Sequence, residues 1–285
     1  MQKLLRALPP FVLVLILVLL ALVLLAPLAF AAPVRMPARI ADGLIVVPVQ
    51  VSGAGTLSFV LDTGATGTLV DEALAAQLGL SPSSPALQVT PAGSRLVRTL
   101  VLPRLEVGGV AAEGLEVVAL PLDELRRIDP AIRGVLGQDV LRRTNWLIDY
   151  GRREVVSDEA GALAPGDGES LPVVWADGRP MIAARVQETT VRLVLDSGAT
   201  NLFLFHPVAN LVPASRGRVT THLGDAAASS VTIDDLRVGG WRSQGTRAAV
   251  VPQQGYLRVE DGLLPTRIFG RLYFDNRSNR VVLAP

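Results

Sequence analysis

The chain has 285 residues, 49% of them apolar, which is enough to build a hydrophobic core in each of two domains of ordinary size. Its 27 Lys and Arg residues nearly balance its 26 Asp and Glu residues, so the charge gives no indication of a surface for nucleic acid. Because the chain contains no cysteine, disulfides, thiolate nucleophiles and cysteine-ligated metal sites are excluded.

The N-terminal segment, residues 1–32, predicts export from the cytoplasm. Lys3 and Arg6 precede an uncharged run from Phe11 to Ala32, and Ala29-Phe30-Ala31 supplies the small residues that a signal peptidase requires. The run is slightly long for a signal peptide and, at about 20 residues, long enough to span a bilayer. Two expectations therefore stay open: a cleaved signal peptide, or a retained anchor that is the only contact with a membrane. Both place the rest of the chain in the periplasm or another extracytoplasmic compartment.

Beyond this segment the chain repeats itself, with the same features in the same order. One stretch ends in VLDTGAT and its copy ends in VLDSGAT, and both predict two strands that lead into an aspartate. A hairpin through Gly-Gly and a later pair of strands are also repeated. The matched stretches are 41–66 with 176–200, 102–120 with 233–251, and 134–156 with 262–283.

The segment between the copies, residues 157–170, is turn-prone and poor in apolar side chains, which predicts a linker. We therefore predict an N-terminal lobe at 38–156 and a C-terminal lobe at 171–285. Short Val- and Leu-rich runs punctuated by Gly and Pro indicate a mostly β fold in both. One helix is predicted from Asp71 to Leu78, with acidic residues in its first turn and a glycine as its stop.

Each copy places an aspartate, Asp62 or Asp196, at the end of an apolar strand. A carboxyl group carried toward the interior needs hydrogen bonds or a partner, because burial of the charge is unfavourable. The glycine two residues later lets the chain turn with its backbone N–H groups toward the carboxylate. A single turn of this kind has a purely structural explanation, whereas two in matched contexts predict a pair.

Two such carboxyl groups can face each other across a pseudo-twofold axis. When they lie a few ångströms apart they do not both ionise, so one is a base and the other an acid at the same pH. Such a pair can activate a water molecule and protonate a carbonyl oxygen, which cleaves an amide bond without a covalent intermediate. This chemistry requires no metal ion or organic cofactor.

The chain resembles the two-lobed aspartic peptidases of the pepsin and retropepsin-like kind. The resemblance covers nearly all of residues 38–285 and rests on four elements, which are Asp62-Thr63-Gly64-Ala65-Thr66, Asp196-Ser197-Gly198-Ala199-Thr200, Val135-Leu136-Gly137 and the ending FDNRSNRVVLAP. It implies two pseudo-twofold-related, barrel-like lobes of the acid-protease fold with the active-site cleft between them. It also implies that Asp62 and Asp196 are the catalytic pair.

The resemblance assigns supporting roles to other residues of the two turns. Thr63 and Ser197 would brace the turns across the pair, with Gly64 and Gly198 completing them. Thr66 and Thr200 would donate hydrogen bonds to the outer carboxylate oxygens.

The resemblance also implies a flap, a hairpin that closes over the substrate. The candidates are residues 87–102, with Gly93 at the tip, and residues 218–233, with Gly224. Neither carries the aromatic residue of pepsin-like flaps, so glycine-dependent retropepsin-like flaps are the closer match.

One element departs from the family pattern. The counterpart of Val135-Leu136-Gly137 in the second copy is either Leu263-Leu264-Pro265 or, in another register, Ile268-Phe269-Gly270. The first register loses the expected glycine, which puts the packing behind Asp196 in question.

The sequence therefore predicts an exported aspartic endopeptidase that binds a peptide or protein in extended conformation and is active as a monomer, since one chain holds both turns. Two alternatives stay open. One is a catalytically silent envelope protein of the same fold that binds peptides. The other is an aspartyl phosphohydrolase, which leaves the duplication unexplained and lacks both a second acidic residue at Gly64 and a phosphate-binding loop.

Overall fold

The computed structural model describes residues 32–90, 93–163, 168–221, 224–252 and 258–284. The predicted export segment, apart from Ala32, lies outside these ranges. Within them, no helix has the length and apolar character needed to cross a membrane.

The described residues form mainly strands. The first half contains β1 (Val34–Pro37), β2 (Arg39–Ala41), β3 (Leu44–Val51), β4 (Gly55–Leu61), β5 (Leu69–Asp71), β6 (Pro82–Thr90), β7 (Gly93–Val107), β8 (Val110–Leu120), β9 (Ile132–Leu136), β10 (Asn145–Asp149) and β11 (Glu154–Asp158). The second half contains β12 (Glu169–Pro172), β13 (Val174–Ala176), β14 (Arg179–Val186), β15 (Thr189–Asp196), β16 (Leu202–Leu204), β17 (Ser215–Thr221), β18 (Gly224–Ile233), β19 (Leu236–Val238), β20 (Trp241–Ser243), β21 (Thr246–Val250), β22 (Gly262–Pro265), β23 (Arg271–Asp275) and β24 (Arg280–Ala284). The helices are α1 (Glu72–Gln77), α2 (Asp123–Ile128), α3 (Gln138–Leu141) and the 3-10 helix Thr266–Phe269.

The two lobes are sheets with the same strand order. The first sheet runs β2-β3-β4-β9-β5-β8-β7-β6, and the second runs β13-β14-β15-β22-β16-β21-β18-β17. In the first lobe the long hairpin β7–β8 also reaches back to β3 and curls the sheet on itself. In the second lobe a separate hairpin, β19–β20, pairs with β14 at the corresponding place. The predicted fold class, mostly β with two related lobes, is confirmed.

A third sheet joins the lobes and takes three strands from each half, in the order β1-β11-β10-β23-β24-β12. At its centre β10 pairs antiparallel with β23, with Trp146 opposite Phe274 and Ile148 opposite Leu272. These four side chains are buried in one apolar core that also includes residues of both lobes. The lobes are therefore fixed to each other by main-chain pairing as well as by packing.

The ends of the predicted linker, residues 157–170, belong to this third sheet. Strand β11 runs to Asp158 and β12 begins at Glu169, so the connection between them is shorter than the predicted segment.

The predicted helix is α1, with the Asp71 carboxylate accepting from the N–H of Ala73 at its start (3.0 Å) and Gly79 at φ +60° after its end. A left-handed residue at that position is a common helix stop.

The central pairing of the third sheet predicts a large effect on stability. Replacing Leu272, which is fully buried, by Ala should lower the free energy of unfolding by about 2–5 kcal/mol, because the methyl groups leave a cavity that the sheet cannot fill. The measurement is urea unfolding followed by circular dichroism. The matched control is Val174→Ala, at an exposed position, with an expected change within about 0.5 kcal/mol. Equal unfolding midpoints for both variants would contradict a stabilising role of the β10–β23 pairing.

Candidate active site

Strands β4 and β15 carry the two predicted aspartates to the same place between the lobes. Each strand lies inside its sheet, next to a parallel neighbour, with Leu61 opposite Leu136 in the first lobe and Leu195 opposite Leu264 in the second. The apolar side chains just before the aspartates are fully buried. A strand that is covered on both faces is apolar along its length. In both lobes such a strand ends at the aspartate of the turn.

The two turns pack directly against each other. A Cβ atom added to Gly64 would overlap the carboxyl group of Asp196, and one added to Gly198 would overlap the carboxyl group of Asp62. The two carboxyl groups are also within hydrogen-bonding contact of each other. Only glycine leaves room for this approach, which explains why both turns have it.

Backbone donors hold one oxygen of each carboxyl group. Oδ1 of Asp62 accepts from the N–H groups of Gly64 (2.8 Å) and Ala65 (3.1 Å). Oδ1 of Asp196 accepts from those of Gly198 (2.8 Å) and Ala199 (2.9 Å). The other oxygen of each group is left for its partner carboxyl or a substrate.

Thr63 and Ser197 link the turns by a reciprocal set of four buried hydrogen bonds, which we call the cross-brace. The Thr63 N–H donates to the Ser197 hydroxyl (2.9 Å), and the Ser197 N–H donates to the Thr63 hydroxyl (3.0 Å). Each hydroxyl in turn donates across the interface, Thr63 to the carbonyl of Leu195 and Ser197 to that of Leu61, both at 2.7 Å. The cross-brace satisfies four buried polar groups of the backbone and fixes the turns face to face.

Thr66 and Thr200 do not make the predicted hydrogen bonds to the carboxylates. Within the described residues, Thr66 is exposed and its hydroxyl has no recorded partner, while the Thr200 hydroxyl accepts from the side chain of Asn201 (3.2 Å). The expectation from the resemblance was wrong because the Thr66 side chain lies at the surface and the Thr200 hydroxyl bonds with its neighbour Asn201.

Burial and proximity shift the acidity of both groups. Burial raises the pKa of Asp62, and hydrogen bonds from Asp196, Gly64 and Ala65 act against it. Burial also raises the pKa of Asp196 well above its usual value, and the charge of Asp62 raises it further. The pair therefore holds a proton at pH values where an exposed aspartate has lost it.

Comparison with known protein families agrees with this geometry. A family model described as aspartyl protease matches residues 47–140 and 182–270, which together make up more than half of the chain. The chain belongs to the aspartyl protease family. Each matched segment contains one of the two carboxyl turns, so the family pattern is present twice. A search of curated proteins found no match.

Two registers were predicted for the segment behind Asp196, and the structure has the first of them. Leu263 and Leu264 pair with β15 as Val135 and Leu136 pair with β4, so Pro265 takes the place of Gly137. A Cβ at Gly137 would overlap the backbone of Gly67, which explains the glycine in the first lobe.

Pro265 does not leave an unsatisfied polar group in the second lobe. The N–H of Gly137 donates to the hydroxyl of Thr68 (3.2 Å), whereas proline has no N–H and the position of Thr68 is taken by the buried Leu202. Donor and acceptor have been lost together, and a change of both partners to apolar groups is close to neutral. Arg267 instead ties this region to the other side of the turn by donating to the carbonyl of Thr200 (2.6 Å).

Both candidate flaps are hairpins at the ends of their sheets. Strands β6 and β7 form the first, with Gly93 at φ +138° directly after the undescribed residues 91–92. Strands β17 and β18 form the second, where Gly224 follows residues 222–223, which also lie outside the described residues. The first hairpin contacts the second lobe, because Arg258 donates to the carbonyl of Thr90 (2.6 Å).

Sequence reasoning missed a buried cluster of charged residues in the second lobe, Arg179, Arg258 and Glu260. Arg179 was visible as a difference between the copies, since ADGL in the first is ADGR in the second. Its burial, with 12% of the side chain exposed, and its pairing with Glu260 have no signal in the sequence.

The cross-brace predicts that the Thr63 hydroxyl is essential for stability. Thr63→Val should lower the free energy of unfolding by about 2–4 kcal/mol, because the N–H of Ser197 and the carbonyl of Leu195 lose their partner inside the protein. Thr63→Ser, which keeps the hydroxyl and copies the second turn, should lose less than about 1 kcal/mol. Urea unfolding measures both. Thr66→Val is the exposed control, and a loss as large there as at Thr63 would contradict the assignment.

The raised pKa of Asp196 predicts a specific pH dependence. The folded protein binds more protons than the unfolded chain above the ordinary pKa of 3.8, so this pair lowers the free energy of unfolding as pH rises from about 4 toward the raised pKa. Asp196→Asn cannot ionise, so the variant should gain stability relative to the wild type between about pH 4 and about pH 7. Urea unfolding at both pH values measures this difference. A difference that stays constant or reverses would contradict it.

Proposed function

We propose that this protein is an aspartic endopeptidase in which Asp62 and Asp196 jointly activate a water molecule. The observation that carries the proposal is the contact between the two carboxyl groups, each of which packs on the glycine of the opposite turn. Groups this close share one proton, so the pair carries a single negative charge over a range of pH.

The proposed reaction uses both members of the pair. The ionised carboxylate takes a proton from a water molecule while the water oxygen bonds to the carbonyl carbon of the peptide. The protonated carboxyl gives its proton to the carbonyl oxygen, which forms a tetrahedral diol. The carboxyl group that took the proton of the water then gives it to the leaving nitrogen as the C–N bond breaks. A hydroxyl of the diol gives its proton to the other carboxylate as the new carboxyl group forms, so the pair again holds one proton. No covalent intermediate, metal ion or organic cofactor enters these steps.

The substrate in this proposal is a peptide in extended conformation. Strands β6 and β17, the outer strands of the two flap hairpins, are the last strands of their sheets, so their outer main-chain groups pair with no other strand among the described residues. An extended peptide can add to such edges by main-chain hydrogen bonds. One chain supplies both carboxyl groups, so we propose that a monomer is sufficient.

We also propose that the protein works outside the cytoplasm. The support is the apolar N-terminal segment with its preceding Lys3 and Arg6, which is typical of export.

Two observations favour this function over the alternatives. Both carboxyl groups, both glycines and the cross-brace are intact, which a silent peptide-binding protein would not need. A phosphohydrolase would need an acidic residue in place of Gly64, but any side chain at that position would overlap the carboxyl group of Asp196.

The proposal predicts that both carboxyl groups are essential for cleavage. Residues 34–285 should cleave members of a peptide library, and Asp62→Asn and Asp196→Asn should each lower kcat/KM by at least about 10³-fold, since neither variant can form the proton-sharing pair. Mass spectrometry of the products gives the rates. Thr66→Val, next to the first turn but exposed, is the control for general damage. Cleavage that survives in either Asn variant would overturn the shared mechanism.

A further inference from the structure

The first hairpin, β6–β7, reaches from its own lobe to the other. The part of β7 from Gly93 to Arg98 pairs with β6 alone, so the end of the hairpin is a two-stranded ribbon. Such a ribbon is only marginally stable by itself, and its position depends on what its end contacts. Thr90, the last residue of β6, is buried, and its carbonyl accepts from Nη2 of Arg258 in the second lobe (2.6 Å).

The second lobe holds Arg258 in a fixed place. Nη1 of its guanidinium donates to Glu260 Oε1 (3.1 Å), and the guanidinium lies over the ring of Phe205, 4.2 Å from the ring centre. Glu260 is fully buried and also accepts from Arg179 (3.0 Å). A guanidinium is a rigid planar fork of donors. Because one arm and one face are already engaged, the other arm has a fixed direction, and it points to Thr90.

This contact lies close to the turn of Asp196. Phe205, under the guanidinium, belongs to the buried apolar cluster that also contains Val194 and Ala199, which stand on either side of Asp196 in the chain. The hairpin, however, grows from the lobe of Asp62. The hydrogen bond between Arg258 and Thr90 therefore carries the hairpin across from one lobe to the other.

The contact is not a product of the duplication. The first lobe has apolar residues at the positions of the three charged ones, with Pro130 for Arg258, Ile132 for Glu260 and Leu44 for Arg179. None of these side chains can donate a hydrogen bond to the opposite hairpin. Only the second lobe can hold its partner's hairpin in this way.

We propose that Arg258 is a positioning residue that latches the first hairpin onto the second lobe, and that a peptide enters the cleft when this latch opens. A hydrogen bond from a charged donor is strong, but water replaces it on both groups when the hairpin lifts, so the latch is reversible. The hairpin then closes again over the bound peptide. The inference rests on the proposed peptidase function and adds to it the contact that controls access to the carboxyl pair.

The test measures the distance between the hairpin and the second lobe with spin labels on the full-length protein. Because the chain has no cysteine, labels attach only at Leu96→Cys in β7 and Val174→Cys in β13, where the wild-type side chains are 71% and 61% exposed. Pulsed electron paramagnetic resonance gives the distribution of distances. Arg258→Leu should raise the open population by about 10-fold or more, the contribution of one charge-assisted hydrogen bond.

Two further variants separate the latch from a general effect of the charged cluster. Arg258→Lys keeps the charge beside Glu260 but has a single nitrogen in place of the fork, so it should open the hairpin as Arg258→Leu does. It decides the question if Arg258→Leu does not fold. Arg179→Leu is the matched control, because it removes the other arginine on Glu260 without touching the hairpin, and it should keep the wild-type distances.

A wild-type distribution in the folded Arg258 variants, or an equal opening in Arg179→Leu, overturns the latch. For a fluorogenic peptide, KM of the Arg258 variants should rise by the factor by which the closed population falls, because only the closed hairpin holds the peptide. An unchanged KM in an opened variant overturns the role in access. If the wild type cleaves nothing, the peptidase function fails, and the distances still decide the latch. If it cleaves through Asp62 and Asp196 while the distances stay unchanged, only the latch fails.

Discussion

Burying two carboxyl groups against each other is unfavourable unless donors and a shared proton replace the lost solvation. The structure meets this constraint with four backbone N–H groups on the inner oxygens and with the cross-brace of Thr63 and Ser197. Both devices require the two turns to face each other at a fixed distance. The rest of the fold supplies that distance, since the central β10–β23 pairing and a common core hold the lobes in one arrangement.

A duplicated lobe is an economical way to create such a site. The same strand order in both sheets brings two identical turns to the end of two equivalent buried strands. Duplication alone would give two equal acids, however, and a water-activating pair needs one acid and one base. The differences between the halves, such as Arg179 at the position of Leu44, therefore matter for the chemistry.

The sequence predicts the repeat, the fold class and the placement of an aspartate at each strand end, because these depend on local patterns that the chain shows twice. It does not predict the third sheet, because the pairing of β10 with β23 depends on register between segments about 125 residues apart. The roles given to Thr66 and Thr200 fail for a related reason: a resemblance carries residues over by position, whereas their hydroxyls are directed by the local path of the chain. The burial of Arg179 and Glu260 was likewise hidden, since charged residues are usually exposed.

The two halves have diverged in pairs of residues that touch. Gly137 and Thr68 of the first lobe, a donor and its acceptor, are Pro265 and Leu202 in the second, which lack both groups. Leu44 and Ile132 are matched by Arg179 and Glu260, where a buried charge has gained its partner. The N–H of Gly137 without the Thr68 hydroxyl, or Arg179 without Glu260, would be left without its partner, at about 1–3 kcal/mol or more for a charge. Paired changes of this kind let the surroundings of Asp196 differ from those of Asp62 while both turns keep the same geometry, and this is the condition under which one carboxyl group can differ from the other in acidity without losing contact with it.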